Sequence, residues 1–199
     1  MTETPFQDQP LAWYRNNYVY EESGGRDVEV YIVNTGANLN NVEFTNDDNG
    51  GKKGHGTCIL SRMGGHIHGI AKNTSTVIVR MPRRPAAVNP VEDYLKGIQK
   101  IVDDVASGNK RAVVSKSWFY PRQLAGGVFT FKDVSGDDAS DAPRDTLRRL
   151  LRLLASKGVS LVTGSGNNGV NSIDGFPAEF GNPNAGLNYT PRDDCRQRR

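Results

Sequence analysis

The apolar positions of this chain come in two rhythms. Residues 28–33, VEVYIV, form a β-branched and aromatic run ending at Asn34-Thr35-Gly36, the pattern of a buried strand that delivers a polar residue to its carboxyl end. Residues 76–81, 112–117 and 159–163 repeat that signature and predict three further strands. Between them the period lengthens. Val91, Tyr94, Leu95, Ile98, Ile101, Val102 and Val105 recur at three and four and predict an amphipathic helix. It opens at Asn89-Pro90-Val91-Glu92, where Asn can cap, Pro is preset for the first helical position and Glu92 suits a capping box. Gly108-Asn109 closes it. A second such run places Leu147, Leu150, Leu151 and Leu154 on one face, turns Arg148, Arg149 and Arg152 to solvent, and stops at Gly158. Residues 55–63 suit a short helix stopped by Gly64-Gly65.

Strands alternating with helices imply right-handed parallel crossovers, so the expected class is α/β: a parallel sheet with helices on both faces, incomplete at the C-terminus. Sites in such sheets lie at the carboxyl ends of strands. Three polar clusters fall there: Asn34-Thr35-Gly36, Gly54-His55-Gly56-Thr57, and the Gly/Asn-rich residues 164–169. A chain of 199 residues suits one domain. We expect an N-terminal arm over 1–27, a body over 28–183 and a divergent polar, basic tail over 184–199. Residues 46–54 read as a surface loop and 121–142 as a long polar insertion.

Composition narrows the function classes. With 36% hydrophobic residues and 22 glycines the chain is globular rather than disordered. The net charge of +3 owes most to Arg192, Arg196, Arg198 and Arg199, so the body is near neutral and no nucleic-acid groove is expected. No apolar window is long enough for a membrane span, and the polar N-terminus lacks a signal peptide. Cys58 and Cys195 lie too far apart, without close partners, for a zinc ribbon or a disulfide scaffold; Cys58 is expected to be a small buried thiol.

The clusters also carry a resemblance. Residues 18–44, YVYEESGGRDVEVYIVNTGANLNNVEF, residues 54–71, GHGTCILSRMGGHIHGIA, and residues 159–169, VSLVTGSGNNG, with Pro177-Ala178 after them, resemble in order the subtilisin-like serine proteases, specifically the proteinase K branch. That family cleaves peptide bonds with an Asp-His-Ser triad and an Asn oxyanion donor. The resemblance puts the general base at His55, the oxyanion donor at Asn167 and Asn34 in the slot of the orienting Asp. Ser117, Trp118, Phe119 and Tyr120 stand where the family has a glycine-bearing substrate strand, and the aromatics would fill its cleft. The segment that carries the nucleophile is absent, because the chain ends at Arg199 before reaching it.

The resemblance therefore implies a subtilisin-like endopeptidase homologue, C-terminally truncated and inactive as it stands. The alternative is a non-catalytic peptide-binding or inhibitory pseudoprotease. Either way the partner is a peptide or protein met by a monomer, with no cofactor. No metal is expected: His66 and His68 have no third ligand, and no complete carboxylate set offers itself to calcium. Localisation stays open, since relatives are commonly secreted and this chain shows no signal peptide.

Overall fold

The computed structural model describes residues 23–39, 54–81, 90–108, 110–117, 120–121, 142–165 and 175–181. A four-stranded sheet organises them, with every pairing parallel. In sheet order its strands are β2 (Ser75–Arg80), β1 (Val28–Asn34), β3 (Arg111–Lys116) and β5 (Ser160–Thr163). The helices are α1 (His55–Gly64), α2 (Pro90–Ser107) and α3 (Ala142–Ser156). Each long element lies within a residue or a few of its sequence expectation.

Strand β1 is central and covered on both sides, which is why it reads as an unbroken apolar run. Its alternation divides the interior. Tyr31 and Val33 enter a large core with Tyr94, Ile98 and Ile101 of α2 and Leu147, Leu150 and Leu154 of α3. Val30 and Ile32 face the other way and meet Leu60 of α1 in a smaller cluster. Helices thus occupy both faces, as expected. Ile98 and Leu154 are completely buried, each contributing about 1.5–3 kcal/mol relative to exposure. Gly158, at φ 81°, ends α3 in the left-handed region that its missing Cβ permits.

An ionic cluster fastens β1 to the end of α2. The Tyr31 hydroxyl lies 2.5 Å from Asp104 and 2.9 Å from Glu29. Lys110 bridges both carboxylates at 2.8 and 3.0 Å. Hydrogen bonds from Tyr31 and then Lys110 hold Asp104 below the usual carboxylate range. Burial, reinforced by those carboxylates, pushes the Tyr31 phenol up.

The structure corrects one expectation and adds two elements. Cys58 is exposed. Gly56, Thr57 and Leu60 take the inward stripe of α1, and Cys58 falls off it. A two-residue antiparallel pairing joins β4 (Tyr120–Pro121) to β6 (Gly175–Phe176), followed by a 3-10 turn over Ala178–Gly181. Among the described residues no helix is long and apolar enough to cross a membrane. Residues 1–22, most of the 121–142 insertion, Asn89 and the 184–199 tail lie outside the described residues.

Candidate active site

Period two along β1 settles where Asn34 goes. It shares a face with Val30 and Ile32, the face covered by α1, and is buried there at 3% exposure. The first residue of α1 is His55. The two side chains meet: Asn34 Nδ2 lies 3.0 Å from His55 Nδ1, and Asn34 Oδ1 lies 3.3 Å from the same nitrogen.

The amide is oriented by its neighbour. The Thr35 backbone N–H donates to Asn34 Oδ1 at 2.8 Å, and the Thr35 hydroxyl approaches the same oxygen at 3.4 Å. With Oδ1 accepting from a backbone donor, Nδ2 is the group that faces the ring. An amide nitrogen only donates, so His55 Nδ1 accepts, and the proton of the neutral imidazole resides on Nε2.

The backbone brings the helix start this close. An added Cβ at Gly56 would stand 2.1 Å from the Gly36 carbonyl oxygen and 3.2 Å from the Asn34 Cβ, so only glycine fits. Thr57, buried one residue later, accepts a hydrogen bond from the Asn38 N–H at 2.8 Å. The Met81 N–H donates to the Asn34 carbonyl at 2.7 Å, which ties in the end of β2. Strand end and helix start are thus held by the Gly36–Gly56 approach and the Asn38–Thr57 hydrogen bond besides the Asn34–His55 pair.

Of the other expected residues, Ser117 is the one described along the same carboxyl edge. Lys116 is the register partner of Val33, so half-buried Ser117 lies one step on, beside the Asn34 position. Gly164 donates its N–H to the Lys116 carbonyl at 3.2 Å, which starts the Gly/Asn-rich loop next to Ser117. Asn167, Trp118 and Phe119 lie outside the described residues, as does the side chain of Tyr120, whose backbone pairs with Phe176. His66 and His68 are exposed in the turn after α1. No cluster of three metal-binding side chains occurs among the described residues.

Sequence reasoning passed over Lys116. It is 3% exposed, with its ammonium 4.1 Å above the Tyr94 ring and 3.3 Å from the Phe176 carbonyl. Burial holds its amine well below the usual lysine range. A signal was present: Lys116 keeps period two with Ala112 and Val114, both core residues.

No family model matches the chain. Among curated proteins it is similar to a subtilisin-like protease of Coccidioides posadasii, 29% identical over 146 residues, covering 64% of this chain and 29% of that protein. It is likewise similar to subtilisin-like protease 8 of Arthroderma benhamiae, at 25% over 181 residues, covering 82% and 33%. Subtilisin-like serine protease Pen ch 18 of Penicillium rubens is 28% identical over 139 residues, covering 64% and 28%. The chain spans about a third of the length of these relatives. Among solved structures, the prenylagaramide maturation protease PagA shares the fold at a TM-score of 0.51 and 16% identity, covering 78% of this chain and 52% of that one. An S41 psychrophilic protease does so at 0.51 and 19%, covering 78% and 51%. With a parallel α/β sheet whose first strand end meets the histidine of the next helix, the chain is similar in sequence to subtilisin-like proteases and shares its fold with solved proteases.

Proposed function

We propose that this chain carries the orienting and base positions of a serine-type endopeptidase acting on peptide or protein substrates, in a form whose base is mis-set by Asn34. The observation that carries this reading is the 3.0 Å contact between Asn34 Nδ2 and His55 Nδ1, made while Asn34 Oδ1 accepts from the Thr35 N–H. A triad base needs a lone pair on Nε2 to take the nucleophile's proton, and a carboxylate on the Nδ1 side to stabilise the imidazolium that results. An amide that donates to Nδ1 leaves the proton of the neutral ring on Nε2, and it offers no negative charge. Replacing the orienting Asp by Asn in a working serine protease costs about 10⁴ in rate. We assign the same handicap to this site, with Asn167 as the oxyanion donor and Ser117, Trp118, Phe119 and Tyr120 as the substrate wall.

The test is hydrolysis of fluorescein-labelled casein by a form of the protein extended with a nucleophile segment of the family and by its Asn34→Asp variant, with His55→Gln as the blank. The reading expects wild-type turnover close to the blank and a gain towards 10⁴-fold in the variant. Equal turnover in wild type and variant, both above the blank, would remove Asn34 from the orienting slot.

One observation favours a second reading, a peptide-binding module without turnover. Among the described residues β5 is an edge strand, and Val162 on it is exposed, a surface suited to adding a peptide strand. Calorimetry with casein-derived peptides would then give micromolar binding, lost when Val162 is replaced by proline. No heat of binding would reject it.

A further inference from the structure

On the face of the sheet opposite the Asn34–His55 pair lies a cavity of about 320 Å³, within the range of small-molecule sites. Its walls are apolar, with Tyr94 and Ile98 from α2, Leu151 from α3, Leu161 from β5 and Phe180 from the 3-10 turn. Lys116 from the end of β3 lines it as well. We propose that this cavity is a carbonyl-binding site in which the Lys116 amine condenses with an apolar, preferably aromatic, aldehyde to form an imine.

Three features support the assignment. The lysine stem rises from the core face of β3, so Nζ is fixed by packing rather than waving in solvent. The Tyr94 ring beneath Nζ and the Phe176 carbonyl beside it set the direction of the amine. Burial in apolar surroundings disfavours the ammonium form, which leaves the lone pair that a nucleophile needs. Two other ionisable groups border this region. Arg148 of α3 lines the cavity, and Glu179 is buried in the 3-10 turn.

The step balances without an oxidant or reductant. The Nζ lone pair forms a bond to the carbonyl carbon, and the carbonyl oxygen takes one amine proton to give a carbinolamine. Loss of that hydroxyl, with the second amine proton, releases water and leaves the C=N bond. Aromatic rings on the ligand would replace solvent against Tyr94 and Phe180.

The probe is 2-naphthaldehyde with the 199-residue chain at pH 7, trapped with sodium cyanoborohydride and mapped by peptide mass spectrometry. At that pH an exposed lysine holds only about one amine in 2,500 neutral, so background labelling is slow. The expected result is labelling at Lys116 at least about tenfold faster than at any exposed lysine, lost on unfolding in urea. Lys116→Arg keeps a long basic side chain but cannot form the imine, and Lys116→Met fills the space. Both should lose the adduct, and the circular dichroism melt of each reports whether it is folded. Labelling spread over the exposed lysines with no excess at Lys116 overturns the proposal, as does an excess that persists in urea.

Discussion

The orientation of the Asn34 amide makes a prediction that needs no enzymatic turnover. Turning the amide over would set Nδ2 against the Thr35 N–H, donor facing donor at 2.8 Å, in place of a hydrogen bond. With Asn34 almost fully buried, that loss is worth about 1–3 kcal/mol, a preference of roughly 5- to 150-fold. The imidazole should follow: in its neutral form His55 should hold its proton on Nε2 and present a pyridine-like Nδ1. In Asn34→Asp a carboxylate accepts from both Thr35 N–H and His55 Nδ1–H, so the pyridine-like nitrogen should move to Nε2. Long-range ¹H–¹⁵N correlation on ¹⁵N-histidine-labelled protein distinguishes the two forms. The chain has 3 histidines, so His55→Gln assigns the signal against His66 and His68. A wild-type spectrum with Nε2 already pyridine-like, or one unchanged by the substitution, would refute the reasoning.

Further expectations come from the packing. Gly56→Ala would push a methyl against the Gly36 carbonyl at 2.1 Å, so it should destabilise by about 1–3 kcal/mol; a urea midpoint equal to wild type would contradict the close approach. Asp104 is held below its ordinary value, so its stabilisation is present above about pH 3.9 and lost as pH falls towards the lowered value. Asp104→Asn should therefore melt lower than wild type at pH 6, with the gap closing in acid; a constant gap would place the effect outside the ionic cluster. Lys116 sits below its ordinary value, so the folded chain binds fewer protons than the unfolded one from that value up to about 10.4, and stability rises with pH across the window. Lys116→Met should remove that rise and raise stability at pH 7 by about 1–4 kcal/mol, the range for replacing buried ionic groups with apolar ones; a lower melting temperature at every pH would show the ammonium to be stabilising.

Much of this was legible in the chain because periodicity and burial agree. The stripe from Tyr94 to Val105 is buried apart from half-buried Leu95, and the residue after the VEVYIV run sits where a strand end should place it. For Cys58 residue type predicts burial and helical phase decides otherwise: the helix buries Thr57 and Leu60 and turns the thiol outward. Lys116 was overlooked for the opposite reason: its phase was right for the core, but its type argued for solvent. The β4–β6 pairing could not be read locally, since its two-residue strands lie more than fifty residues apart and carry no alternation of their own.

The contacts that seat α1 on the end of β1 belong to the main chain and to Thr57: the Gly36 carbonyl against Gly56, and the Asn38 N–H on the Thr57 hydroxyl. Neither depends on the identity of residue 34 beyond its size. Asparagine and aspartate are nearly isosteric, and their codons differ by a single base. An acid and an amide can therefore be exchanged at this position without rebuilding the frame around it.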